Sequence, residues 1–466
     1  MKEQATINGC PRCSVLERRI AELEARLARL EKNSGNSSKP PSSDIVKPPR
    51  SGKKKDQRGK KKRKVGGQPG HPKHERPLFP PEEVDQTKDY KLDRCPACDG
   101  ALQLLDKPVS TLQQVELIAK PIKITEHRSR ACFCKHCQRE FTTTIPRHVR
   151  KAGLAGPRLT ALVGYLKGAC HCSFTTIHKY LHDVLGIKIS RGQLRKLCAK
   201  VAHSLNGAYE ELLTVLPRQK RANVDETGHK ENGQGLWTWC FRVPLFTLFR
   251  IDPSRGSEVL VDVLGTEFDG VLGCDYFSAY RKYMRLNENV LVQFCLAHLI
   301  RDVKFLVQHP HPKNRAYGKR LMKELRALFA IFHRREKMSK ARFLGALEDQ
   351  SIMVLMHATF RVPNTSEAQN LAARFDKHGD SYLRFVTTPD VEPTNNLAEQ
   401  AIRFVVIDRR VTQGTRSEAG RRWCERIWTA IATCTQHGKS VLKFLNQSVH
   451  SFFRETTPPS LLFNTS

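Results

Sequence analysis

Asp225 follows a short apolar run in RANVDETG, and Asp275 closes another in VLGCDYFSAY, 50 residues further on. Runs of this kind form strands, and carboxylates at the ends of neighbouring strands converge readily in one cleft. Such oxygen donors suit hard divalent ions. Two ions about 3.5–4 Å apart can serve both the attacking and the leaving oxygen of a phosphodiester. A third carboxylate would complete the set. In EPTNNLAEQAIR a Pro-Thr-Asn opening precedes a helix on which Asn396, Glu399 and Arg403 share a face at i, i+3 and i+7. Glu392, set in a loop by Pro393, is the rival ligand. Asn396 and Glu399 also have the spacing of a helix capping box, and each acid taken singly reads equally as a surface residue.

Two further groups carry chemistry. Cys295, His298 and Arg301 in CLAHLIRDV share a helical face. That face would set His298 and Arg301 beside a scissile phosphate, arginine through bidentate contacts, or would pack a buried histidine on a sheet. Both readings stay open. Cys95-Pro-Ala-Cys98 and Cys134-Lys-His-Cys137, with 35 residues between them, offer the four thiolates of a closed tetrahedral zinc site. Such a structural Zn2+ would hold together a domain too small to fold alone, with Cys132 and His127 as bystanders.

The elements that would position these groups follow from pattern and charge. The 466 residues carry 79 Lys and Arg against 46 acids, a formal charge of +33, which favours a polyanionic partner and points to nucleic acid, which the resemblance described below narrows to double-stranded DNA. No apolar stretch is long enough to cross a bilayer and MKEQATINGC lacks a signal core, so a cytoplasmic protein without a membrane partner is expected. In that reducing compartment the 15 cysteines hold metal or fill cores.

Leu16, Ile20, Leu23, Leu27 and Leu30 form a short heptad seam, a coiled coil through which copies of the chain would associate. Ahead of it, Cys10 and Cys13 are either free surface thiols or, in a parallel dimer, half of a shared zinc clamp. Residues 33–76 read as a disordered linker, with eleven Lys or Arg between Lys47 and Lys64. Within it Lys53, Lys54, Lys55, Lys60, Lys61, Lys62, Arg63 and Lys64 would grip phosphates. Residues 151–216 read as helical. FTTIHKYLHDVLG, a glycine stop and a helix capped by Ser190 fit a helix-turn-helix presenting Arg191, Arg195 and Lys196 to DNA, or equally a packing connector.

The ordered set NSSKPPSSD, GGQPGH, paired CxxC, VDETG, SRGSEVL, GCDYFSAY, CLAHLIRDV and EPTNNLAEQAIR resembles the bacterial transposases of the insertion sequence 66 family over nearly the whole chain. The resemblance implies a leucine zipper, a zinc-binding domain, a helix-turn-helix-like region and a DDE core of ribonuclease H fold. In that core Asp225 and Asp275 are the first two metal ligands and Glu399 the third, holding two Mg2+ (or Mn2+) ions. Gln400 departs from the family, which has arginine there. The 124 residues from Asp275 to Glu399 exceed a plain ribonuclease H fold, so a helical insertion is expected.

The expected architecture is a multidomain α+β chain. It begins with a CxxC and zipper (1–32), the linker (33–76), a zinc-binding domain (77–150) and the helical region (151–216). The ribonuclease H-like core (217–299 and 391–440) is split by a helical insertion (300–390), and a C-terminal helix and tail (441–466) follow. The activity implied is cleavage of element ends, with water attacking a phosphodiester, followed by attack of the freed 3′-hydroxyl on target DNA. Companion transposition proteins and association with the bacterial nucleoid belong to the same expectation. A zinc-containing DNA-binding regulator and a nuclease without strand transfer are the alternatives. Arg409, Arg410, Arg416, Arg421 and Arg422 form a basic face suited to DNA ends.

Overall fold

The computed structural model describes residues 11–33, 36, 78–87, 96–97, 99, 112–115, 118 and 121–463. Cys10, Cys95, Cys98 and the basic residues from Lys53 to Lys64 lie outside them, as do the side chains of Cys13 and Cys134. Two compact units are present, residues 1–49 with 126–466, and residues 50–125. In the smaller unit Gln113 clamps the backbone of Phe79, accepting from its N–H at 2.5 Å and donating to its carbonyl at 3.0 Å. The boundary at 125/126 falls inside the 77–150 span drawn from the sequence.

The larger unit starts with helix α1 (Pro11–Leu30). Its seam residues Leu16, Ile20, Leu23, Leu27 and Leu30 are all exposed, at 55–60%. Next comes a small antiparallel hairpin, β1 (Ala131–Cys134) and β2 (Arg139–Thr142), whose turn is bracketed by Cys134 and Cys137. Helices α2 (Arg147–Ala152), α3 (Pro157–Gly168), α4 (Phe174–Asp183), α5 (Arg191–Ser204) and α6 (Asn206–Val215) follow. Ile177, Leu181, Leu194 and Leu197 join Val163 in a small core of their own. Ser190 caps α5 by accepting from the Gln193 N–H, and Arg191, Arg195 and Lys196 remain exposed.

A five-stranded sheet then forms from β3 (Arg221–Glu231), β4 (Gln234–Arg242), β5 (Thr247–Asp252), β6 (Val271–Cys274) and β7 (Leu291–Phe294). Its order is β5-β4-β3-β6-β7, antiparallel across the first three and parallel across the last three. Helices α7 (Ser257–Leu264) and α8 (Ser278–Leu286) make the crossovers. Four helices stand between β7 and the next segment: α9 (Leu296–Gln308), α10 (Pro312–Phe332), α11 (Lys340–Thr359) and α12 (Ser366–Thr387). Then α13 (Asn396–Thr412) packs on β3 and β4, α14 (Glu418–Gln436) runs beside β5, and α15 (Val441–Arg454) packs on α3. The architecture is a mixed α/β sheet wrapped by many helices. Among the described residues no helix is long and apolar enough to cross a membrane.

Both sheet edges are covered by side chains rather than by further strands. On α14, Glu425, Thr429 and Thr433 recur every fourth residue and face β5. They accept the N–H groups of Ile251, Phe249 and Thr247 at 2.8, 3.0 and 3.1 Å. An exposed edge would present those donors to any other chain, and burying them unpaired would cost stability. At the opposite edge Gln293 of β7 bonds the Tyr382 carbonyl and the Phe385 N–H of α12. Replacing Thr429 by valine keeps the shape but leaves the Phe249 N–H unpaired. A loss of about 1–3 kcal/mol is expected, read as a lower urea midpoint.

Candidate active site

Asp225 is the fifth residue of β3, within the strand rather than at its end. The parallel pairing of β3 with β6 stops at Asn223 and Gly273, so Asp225 lies just beyond the point where the two strands part. Asp275 follows the last residue of β6 directly. Glu399 comes from the first turn of α13. Its Oε1 lies 3.6 Å from His298 Nδ1 and its Oε2 lies 3.8 Å from Arg301, both on α9. The structure brings Asp225, Asp275, Glu399, His298 and Arg301 into one neighbourhood. The rival acid Glu392 is 45% exposed and pairs with Arg335 at 3.4 Å.

The electrostatics record the crowding. Burial, then Glu226, Asp275 and Glu399, hold the Asp225 carboxyl well above the usual range. Asp275 is pushed up to about 7 by burial and by Glu226, against the opposing pull of the Phe277 N–H and Arg255. His298 is lowered to about 4 by burial and by Arg301, so it is neutral near pH 7. Each aspartate is fixed by its own backbone. Asp225 accepts from the Glu226 N–H at 3.0 Å, and Asp275 from the Phe277 N–H at 2.9 Å. Glu399 Oε1 is buried without a hydrogen-bond partner among the described residues.

The residue that seats α13 is Asn395, not Asn396. Asn396 and Arg403 are exposed. Asn395 is the buried N-cap, and its side chain makes no capping bond to the helix. Its amide instead donates to the Val224 carbonyl at 2.7 Å and accepts from Asn223 Nδ2 at 2.9 Å. Its own N–H meets Cys295 Sγ at 3.2 Å. The helix therefore starts one residue earlier than a capping box at Asn396 requires, and Glu399 is released from capping. Gly273 makes room for the bridge, since a Cβ there would lie 2.4 Å from Asn223 Nδ2.

A second clamp escaped the sequence reading. Arg255, from SRGSEVL, forks onto Glu226 Oε1 at 3.0 and 2.8 Å. Its guanidinium lies between the rings of Trp237 and Phe277, 4.4 and 3.9 Å from their centres. Tyr280 donates to the other Glu226 oxygen. Glu226 follows Asp225, and Phe277 stands two residues after Asp275, so this cluster ties both aspartate segments together. Charge-assisted hydrogen bonds of this kind, two N–H groups on one carboxylate oxygen, fix geometry as well as adding energy.

Beyond Glu399 the helix ends at Thr412 with Gln413 left-handed as its cap, and the φ of +90° at Gly414 and its close approach to Lys230 leave no space for a side chain. There the chain rejoins β3, with the Thr415 N–H on the Lys230 carbonyl at 2.8 Å. Arg409 donates to Thr227 of β3 at 3.2 Å, while Arg410 is exposed. Buried Asp408 joins α14 to the loop after α3, 3.1 Å from Trp428 Nε1 and 3.0 Å from His171 Nδ1. In the hairpin Cys132 and Cys137 are exposed, and the four-cysteine zinc reading rests on the sequence alone.

Residues 152–422, more than half of the chain, match the family described as Transposase IS66 family. Residues 9–77 match a second family, one of unknown function. The chain is also similar to the uncharacterized protein y4qI of Sinorhizobium fredii, 23% identical over 332 residues. That alignment takes in 65% of this chain and 61% of the relative's length.

Two outcomes are expected. Asn395→Ala strands the Asn223 amide and the Val224 carbonyl, so it should cost about 1–3 kcal/mol, measured by urea denaturation. The raised aspartates bind protons more tightly folded than unfolded. Metal-free protein should therefore lose stability as pH rises from the ordinary 3.8 towards about 7. Asp275→Asn removes that contribution, so its melting temperature should gain on the wild type across the same window.

Proposed function

Because the chain belongs to the IS66 family of transposases, we propose that it is a DDE transposase that cuts the ends of an insertion element and joins them to target DNA. The observation that carries this reading is the meeting of Asp225, Asp275 and Glu399, drawn from three separate segments close enough for Asp275 and Glu399 to raise the buried Asp225 carboxyl. The sheet, three antiparallel strands continued by two parallel ones with carboxylates at the central pair, agrees with a ribonuclease H-like core. Helices α9 to α12 then form its insertion.

The donor set fits Mg2+ or Mn2+. Its members are oxygen ligands, their mutual repulsion raises Asp225, and Glu399 keeps an oxygen without a hydrogen bond. When bound, two such ions activate the attacking oxygen and offset charge on the leaving one. The chain's own residues do the rest. Arg301 and neutral His298 flank Glu399 at 3.8 and 3.6 Å without fixing its carboxylate, and Arg301 is placed to touch a phosphate oxygen. Asn395 and the Arg255–Glu226 pair keep the carboxylates in register. On α5, Arg191, Arg195 and Lys196 face outward, where they meet phosphates of the element ends, as do Lys53 to Lys55 and Lys60 to Lys64. Arg403 supplies a further exposed cation on the helix that carries Glu399. The uncovered seam of α1 pairs with a second copy, so that two ends are held in one assembly. Structural zinc on the cysteine pairs, companion transposition proteins and a place on the bacterial nucleoid complete the proposal.

Labelled element ends incubated with Mg2+ test it. Asp225→Ala should reduce cleavage by about 10⁴-fold, as when one member of a cooperating catalytic set is removed, with end binding retained in a gel shift. Cleavage unchanged in Asp225→Ala would refute the assignment. A precut end that is never joined to target DNA would leave a nuclease instead.

A further inference from the structure

A second group of donors adjoins the aspartates and differs from them in kind. Cys295, His298 and Glu399 each offer one ligand atom, and the three atoms lie within 4.8 Å of one another. The topology explains the meeting. Cys295 ends the stretch after β7 and His298 sits in the first turn of α9, while Glu399 arrives on α13, seated against Cys295 Sγ by the Asn395 N–H at 3.2 Å. The orphaned, buried Glu399 Oε1 points to a missing partner on the side where it faces His298.

We propose that Cys295, His298 and Glu399 form a site for a borderline-soft divalent ion, Zn2+ in particular, and that filling it withdraws Glu399 from the catalytic set. The spacing discriminates between ions. Nitrogen and oxygen donors about 2.0–2.2 Å from an ion lie about 3.4 Å apart at tetrahedral angles, but about 2.9 Å apart at the right angles of octahedral Mg2+. His298 Nδ1 and Glu399 Oε1 are 3.6 Å apart, close to the tetrahedral value. A thiolate and an imidazole also favour zinc over magnesium, which prefers oxygen alone. The ion replaces the Cys295 thiol proton, which leaves to solvent. The Glu399 and His298 side chains keep 22% and 14% of their surface open, so an ion enters past the carboxylate and takes water as its fourth ligand.

The withdrawal of Glu399 rests on reading it as the third catalytic carboxylate; the binding of zinc does not. Two readouts separate them. Co2+ serves as the spectroscopic stand-in for Zn2+, titrated into metal-free full-length protein and followed by thiolate-to-metal charge-transfer absorption. Cysteine pairs elsewhere also bind Co2+, so the quantity read is the difference in equivalents between variants. Cys295→Ser and His298→Ala should each lose one equivalent per chain relative to wild type, and Cys434→Ser, a buried cysteine elsewhere, should lose none. Equal stoichiometry and equal spectra in all four proteins would overturn the site. Separately, Zn2+ added to a Mg2+-supported cleavage reaction should slow the wild type at least tenfold. If binding is lost in the variants as expected yet zinc leaves cleavage unchanged, the site stands and the role given to Glu399 falls.

Discussion

Asp225, Glu226, Asp275 and Glu399 are four carboxylates held in one poorly hydrated neighbourhood, and the surrounding structure has to answer their repulsion. Two unit charges 4 Å apart in surroundings of effective dielectric near 20 repel by about 4 kcal/mol. The protein offsets this selectively. Glu226 receives a full counter-charge from Arg255 and a hydroxyl from Tyr280, which leaves it buried and satisfied. Among the described residues Asp225 and Asp275 accept hydrogen bonds from backbone N–H groups alone, and Arg255 reaches Asp275 through its charge, not through a hydrogen bond. The link that brings in Glu399 is a neutral carboxamide, that of Asn395, where a lysine or arginine would have filled the cleft with positive charge. What remains is a group of carboxylate oxygens, two of them on aspartates whose protons a cation would displace.

That arrangement needs a scaffold stiff enough to resist opening. The parallel pairing of β3 with β6 puts Asn223 beside Gly273, and the glycine lets the Asn223 amide reach Asn395. One missing Cβ on β6 thus governs where α13 begins. Further along, α13 is held to β3 again through Arg409 and the chain turn at Gly414. The far edge of the sheet is locked by α14, whose Asp408 contact returns to α13. Helix and strand are therefore fastened at both ends of α13, which limits how far Glu399 can drift from the aspartates.

Much of this was legible in the sequence because it is local. The aromatic and β-branched run from Leu236 to Ile251 is a hairpin, and Ser190 is a helix cap, since short-range pattern decides both. The two aspartates were found from apolar runs that precede them. What escaped depends on long-range partners. Asn396 is singled out by the face it shares with Glu399, whereas Asn395 lies in phase with the buried stripe of Ala398, Ile402 and Val405. That phase was the available signal. Arg255 stood within a recognised motif without a role, because its partners Glu226, Trp237 and Phe277 come from three other segments. Glu226 has no sequence signal of its own beside Asp225, and its role comes from its burial against Arg255 and Tyr280.

The three carboxylates are not equally committed. A carboxylate that accepts from its own backbone keeps its rotamer with or without an ion, so Asp225 and Asp275 are organised before anything binds. Glu399 has no such bond on Oε1, and Arg301 at 3.8 Å is too far to fix Oε2 by hydrogen bonding. Its position is set by the helix, and its last two torsions by whatever enters the cleft. A fixed pair with one adaptable partner suits chemistry in which attacking and leaving oxygens exchange places between successive steps. On the proposed reading the fixed acids would keep the site in register while the third adjusts to each geometry. The same freedom leaves Glu399 able to turn towards Cys295 and His298.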